Sequence, residues 1–173
     1  MKNLGSAAKL LNVVIVDDGK YNREINKNMI NKTGAGSVIA ECSSGVEAVE
    51  YYKENFKKID LITMDIEMPD MDGKKATALI REFEDKNNLK PVKVVMVTGN
   101  VNNREKDECL NLTGKVRADF FLRKPISMQD FKDLTDKIRK DDKMGSTAVL
   151  CGIFGEEIDF IRGELEGKYS KFI

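Results

Sequence analysis

The chain's 173 residues suit one domain with a full core plus a modest extension, and its 29 basic side chains balance its 29 acidic ones, so no electrostatic footprint for nucleic acid or anionic membrane is present. It contains no histidine, which excludes a His-based triad, a His-rich metal site and a phosphorylatable histidine, and its three cysteines, Cys42, Cys109 and Cys151, have no CxxC spacing and read as reduced cytosolic thiols. No apolar run approaches the roughly 20 residues of a membrane span, and the N-terminus lacks the apolar core of a secretory signal, so a cytoplasmic protein is expected.

Residues 1–9 read as a short leader. Leu10 to Val16 is a β-branched run that stops at Asp17-Asp18-Gly19, a strand ending in acids. Tyr21, Ile25 and Met29 follow at helical spacing, and Thr33-Gly34 stops that helix. Val38 to Ala40 is a short strand; Gly45 then opens a helix with Val46, Val49 and Tyr52 on its stripe. Leu61-Ile62-Thr63-Met64 is a short, apolar-leaning run that ends abruptly at Asp65, before a turn rich in Pro, acids and Gly (Glu67 to Gly73). Such a run reads as a buried parallel strand. Ala76, Leu79, Ile80 and Phe83 mark a third helix, and Pro91 opens a strand, Val92 to Val97, that ends at Thr98-Gly99-Asn100. Arg104 to Leu112 is polar but helical in pattern, and Gly114 closes it. Asp119 to Arg123 is the last strand, leading into Lys124-Pro125. Ser127 and Asp130 form a capping box for a helix whose face is Phe131, Leu134 and Ile138.

Five βα units predict an α/β fold: a doubly wound, five-stranded parallel sheet with helices on both faces and right-handed crossovers. Residues 10–140 are expected to form this domain, with a domain edge in the hydrophilic stretch from Asp141 to Ser146. Residues 141–173 are expected to be a tail. In it Phe154, Ile158, Ile161, Leu165 and Phe172 lie near one helical face, while Gly155, Gly163 and Gly167 each cost a helix about 1 kcal/mol. A surface-packed extension on a monomer is the expectation; a dimerising or partner-binding helix is the alternative.

Four of the five strand ends carry the residue types of a phosphoryl-transfer site. Ligands of open α/β sheets bind at the carboxyl ends of strands, at a switch in strand order. With the flavodoxin-like order 2-1-3-4-5, strands one and three are neighbours, so Asp17, Asp18 and Asp65 converge. Carboxylates so close repel and raise one another's pKa unless a cation sits among them, and Mg²⁺ is the expected cation. Asp65 is then the nucleophile, Lys124 a fixed positive charge on a phosphoryl oxygen, and Thr98 a hydroxyl donor to another.

The set Asp17-Asp18, Met-Asp65-Ile-Glu-Met-Pro-Asp-Met-Asp-Gly, Thr98-Gly and Lys124-Pro125 resembles the receiver domain of two-component response regulators, over roughly residues 11–140. The resemblance implies that Asp65 is the phospho-acceptor and that Asp17, Asp18 and the backbone carbonyl of Glu67 join it in holding Mg²⁺. It implies that Thr98 and Phe121 are a switch pair, the hydroxyl closing on the phosphoryl group as the ring turns inward. Lys124 and Pro125 match the family's lysine and cis-proline, and Asn22-Arg23 resembles the receivers of hybrid histidine kinases. Implied partners are a histidine kinase or a histidine phosphotransfer protein, with no nucleic acid. The implied activity is not that of a separate enzyme but of a module catalysing only its own phosphorylation and dephosphorylation. Two positions depart from the pattern: Gly19 replaces a polar residue common after the acidic pair, and Phe121 stands where Tyr is also frequent.

Three other readings compete. An aspartate-nucleophile phosphatase of the haloacid-dehalogenase type needs a second Asp two residues after the nucleophile, where this chain has Glu67. A nucleotide switch would use Asp70-Met-Asp-Gly73, but the chain has no GxxxxGK[ST] loop. An unphosphorylated receiver-like scaffold has no reason to keep every residue of the acceptor site.

Overall fold

The computed structural model describes residues 10–100 and 103–144; the expected leader and the apolar face of the tail lie outside the described residues. In chain order the elements are β1 (Leu11–Val16), α1 (Lys20–Thr33), β2 (Gly36–Cys42), α2 (Gly45–Asn55), β3 (Leu61–Asp65), α3 (Gly73–Lys86), β4 (Lys93–Thr98), α4 (Asn103–Leu110), β5 (Phe120–Arg123) and α5 (Met128–Met144). One sheet holds all five strands in the order β2-β1-β3-β4-β5, and every pairing is parallel. The expected fold class and strand order are those observed.

Strand alternation divides the core into two layers. Val14, Val16, Ile62, Met64, Val94, Met96 and Phe121 face α2, α3 and α4. Val13, Ile15, Leu61, Val95, Phe120 and Leu122 face α1 and α5. Central β3 is buried along its whole length, which is why its sequence is a run and not an alternation. Phe131, Leu134 and Ile138 are all fully buried, at about 1.5–3 kcal/mol each, and they dock α5. The Ser127 hydroxyl accepts from the Asp130 amide and the Asp130 carboxylate from the Ser127 amide, so the capping box forms as the sequence predicts.

Four details differ from the sequence reading. On α1 the stripe is misplaced: Tyr21 and Ile25 are exposed, and Met29 with Ile30 makes the buried contact. On α2, Val46 is exposed and Ala48 joins Val49 and Tyr52 in the core. Strand β2 runs beyond Val38 to Ala40 at both ends; it is an edge strand, so its half-buried pattern hides it from an apolar scan. Helix α5 continues past Lys140 to Met144, through the start of the hydrophilic stretch expected as the domain edge. Charged residues do not stop a helix that has no glycine or proline in it.

Candidate functional site

Val16 pairs with Met64, so Asp17, one residue past β1, and Asp65, the last residue of β3, leave the sheet side by side. One carboxylate oxygen from each of Asp17, Asp18 and Asp65 lies within 4.8 Å of the other two. Asp17 and Asp65 are buried and Asp18 is exposed, so the cluster opens to solvent on one side.

Lys124 reaches this cluster from β5. Its amide donates to the Thr98 carbonyl at 2.8 Å, prolonging the ladder by one residue, and the Lys124–Pro125 bond that follows is cis. The ammonium donates to Asp17 Oδ2 at 2.7 Å and to Asp65 Oδ2 at 2.5 Å. Burial alone would lower the Lys124 pKa, but these bonds reverse the sign and raise it. Burial pushes the Asp65 carboxyl above the usual carboxylate range; Lys124 pulls it down and Asp17 pushes it up again. Three carboxylates and the one ammonium bonded to two of them leave a net two negative charges among these four groups.

The loop after β3 is tied down by short bonds. Ile66 N donates to the Val97 carbonyl at 2.9 Å, Gly73 N to the Ile66 carbonyl at 3.0 Å, and Glu67 N to Asp65 Oδ1 at 3.3 Å. Asp72 caps α3 by accepting from Lys75 N at 2.7 Å. Gly73 packs against the acid itself, since a Cβ there would lie 2.1 Å from the Asp65 carbonyl oxygen and 2.8 Å from Met64 Cγ. Gly73→Ala is therefore expected to push α3 off the end of β3. A destabilisation of about 1–3 kcal/mol should follow, read as a fall of several degrees in the melting midpoint.

Thr98 ends β4 beside β3 and is fully buried. Its hydroxyl is not bonded to the carboxylates; it donates to the Asn100 carbonyl at 3.1 Å and accepts from the Asn100 amide at 3.2 Å. Phe121 lies on the neighbouring strand, opposite Met96 and in the same core layer, with its ring already buried. Glu67 is exposed.

Two residues in the first turn of α1, to which the sequence pattern assigns no role in the site, also bond the acids. Asn22 Nδ2 donates to Asp17 Oδ1 at 3.1 Å, and Arg23 Nη1 donates to the main-chain carbonyls of Asp17 at 2.6 Å and Asp18 at 3.2 Å. The available signal was their position, four and five residues beyond Asp18 on a helix that begins at the acids.

Comparison with known proteins adds to this geometry. The family model described as "Response regulator receiver domain" matches residues 13–139. Among curated proteins, hybrid signal transduction histidine kinase B of Dictyostelium discoideum is 35% identical over 130 residues, covering 70% of this chain and 6% of that protein. Chemotaxis protein CheY of Bacillus subtilis is 43% identical over 72 residues, 42% of this chain and 58% of that protein. The chain thus spans less than two thirds of the length of either relative. Among solved structures, a chain of the CheX–CheY–BeF3–Mg²⁺ complex from Borrelia burgdorferi superposes with a TM-score of 0.63 at 29% identity, covering 75% of this chain and 89% of that one.

Proposed function

The chain belongs to the response regulator receiver domain family, and on that premise we propose that Asp65 accepts a phosphoryl group from a partner phosphohistidine in a phosphorelay. The observation that carries this reading is Lys124, whose ammonium holds one oxygen of Asp17 and one of Asp65 while two negative charges remain uncompensated. Crowded carboxylate oxygens suit a hard divalent cation and no soft one. Asp17, Asp18, Asp65 and the Glu67 carbonyl would hold Mg²⁺, which supplies the missing positive charge and a counterion for the incoming phosphoryl oxygens.

The transfer breaks the donor's phosphorus–nitrogen bond, whose electron pair stays on the imidazole nitrogen. A new phosphorus–oxygen bond forms to an Asp65 carboxylate oxygen. Charge on the moving group spreads over its equatorial oxygens, so catalysis is chiefly positioning and electrostatic stabilisation. Lys124 answers one of those oxygens. Thr98 answers another after exchanging its Asn100 partners for the phosphoryl group, which draws in the loop between β4 and α4. Hydrolysis of the acyl phosphate at the same residues would reset the module, so it catalyses its own phosphorylation and dephosphorylation and nothing further.

The partner in this reading is a histidine kinase or a histidine phosphotransfer protein, in the cytoplasm. No helix among the described residues is long and apolar enough to cross a membrane. We propose that residues 10–140 are the receiver and residues 141–173 an extension of it, into which α5 runs as far as Met144. Incubation with acetyl phosphate and Mg²⁺, followed by intact-mass measurement, tests the reading: one added phosphoryl group supports it, and none refutes it.

Thr98→Ala separates modification from response. The variant keeps Asp65 and Lys124, so it is expected to take up the phosphoryl group. It should lose most of the phosphorylation-dependent NMR shifts in β4, α4 and β5, because no hydroxyl draws the β4–α4 loop toward the site. Full retention of those shifts would remove Thr98 from the switch.

A further inference from the structure

We infer that Asn22 is a positioning residue for the acidic site, and that Gly19 is glycine because the Asn22 amide needs the space a side chain would fill. This rests on the proposed cation site and concerns how that site is set before any ion arrives. Asp17 is almost fully buried, and its two oxygens are divided between separate tasks. Oδ1 accepts from Gly19 N at 2.8 Å and from Asn22 Nδ2 at 3.1 Å. Oδ2 accepts from Lys124 Nζ at 2.7 Å, the same nitrogen that holds Asp65 Oδ2.

Arg23 adds the complementary restraint. Its Nη1 lies on the carbonyl oxygens of Asp17 and Asp18, fixing their main chain and leaving rotation of the Asp17 carboxylate as the remaining freedom. The Asn22 amide restricts that freedom together with the Gly19 amide and Lys124: with Oδ1 held from two sides, Oδ2 is the oxygen presented toward Asp65. Outer partners of this kind orient a metal-binding carboxylate, and their loss typically weakens binding about 10–100-fold.

Gly19 supplies the space. It is the N-cap of α1, has φ −77°, and makes no side-chain cap, so its backbone conformation does not call for glycine. Its surroundings do. A Cβ there would stand 2.9 Å from Asn22 Nδ2 and 3.3 Å from Asn22 Cγ, as well as 3.1 Å from Asp17 Oδ1. The cheapest relief is for the flexible Asn22 side chain to swing away, which breaks its bond to Asp17. In this chain Gly19 and Asn22 thus act on the same Asp17 oxygen.

Titration calorimetry with Mg²⁺ on the wild type, Asn22→Ala, Gly19→Ala and the double variant tests this. Each single variant should weaken Mg²⁺ binding roughly tenfold with little change in melting midpoint. The double variant should be no weaker than the poorer single one, because both changes remove the same bond. In metal-free Gly19→Ala, the Asn22 side-chain amide resonances should move to free-amide positions. Wild-type affinity in Asn22→Ala, or losses that multiply in the double variant, would overturn the inference while leaving the site intact. A wild type that binds no Mg²⁺ would overturn the cation site itself, and the inference with it.

Discussion

Asp65→Asn is expected to gain no phosphoryl group under any excess of acetyl phosphate, as read by intact mass. The substitution keeps the size of the side chain and removes only the nucleophilic carboxylate. Appearance of the modification on another acid in this variant would displace Asp65 from its role. Mg²⁺ affinity should fall by roughly tenfold or more, since one of three charged ligands is gone. In metal-free buffer the variant should melt no lower than the wild type. The sign follows from the Asp65 pKa, which burial raises in the fold, with Asp17 adding to it against the pull of Lys124. A carboxyl whose pKa is raised in the folded state contributes stability that is complete below its ordinary pKa and is lost as pH rises through the folded value. The advantage of asparagine should therefore grow from acid toward neutral pH. Lys124→Ala is the companion experiment: the nucleophile stays, the fixed cation goes, and the modification rate should fall on the order of 100-fold.

Sequence pattern reveals most of this site because chemistry and topology coincide there. Asp17, Asp65, Thr98 and Lys124 all stand at or just past the ends of short apolar runs, and a parallel sheet brings such ends to one edge. Tyr21 and Ile25 mislead because helical spacing says which residues share a face, not whether that face meets the sheet. Asn22 and Arg23 stand out in the sequence only as a resemblance, and their contacts are not legible there because the partners are one carboxylate oxygen and two carbonyls, which no periodicity records. The least legible part of the fold is a polar one. Arg81 and Glu84 look like the solvated side of α3, yet both are buried. Their burial depends on partners outside α3: Tyr52 on α2, Val92 just before β4, and Arg117 and Asp119 before β5.

Glu84→Ala is expected to be the most destabilising single change in the described part of the chain, at about 3–5 kcal/mol out of a typical total of about 5–15. Glu84 is fully buried at the end of the sheet opposite the acidic site. Its Oε1 accepts from the Tyr52 hydroxyl at 2.6 Å and from Val92 N at 2.7 Å, and its Oε2 from Arg81 Nη1 at 2.9 Å. Arg81 in turn donates to the Val92 carbonyl at 2.8 Å, to the Arg117 carbonyl and to Asp119 Oδ2 at 3.0 Å, so this buried network fastens α2, α3, the residue before β4 and the segment before β5. Alanine at position 84 removes one of the two carboxylate partners of Arg81, leaving Asp119, and strands a buried phenol and a buried amide, each costing about 1–3 kcal/mol. Chemical denaturation should show the loss as a lower midpoint, and a change of less than 1 kcal/mol would mean that water replaces the carboxylate. Tyr52→Phe breaks only the phenol bond and should cost about 1 kcal/mol at neutral pH. It also carries a pH signature. Burial first, and then the bond and charge of Glu84, raise the Tyr52 pKa above its ordinary value, so the folded chain keeps that proton when the unfolded chain releases it. Stability from Tyr52 is then complete below a pH of about 10 and declines above it. Wild-type stability should fall more steeply in that alkaline range than that of Tyr52→Phe, and equal slopes would show that the Tyr52 phenol is not held by Glu84.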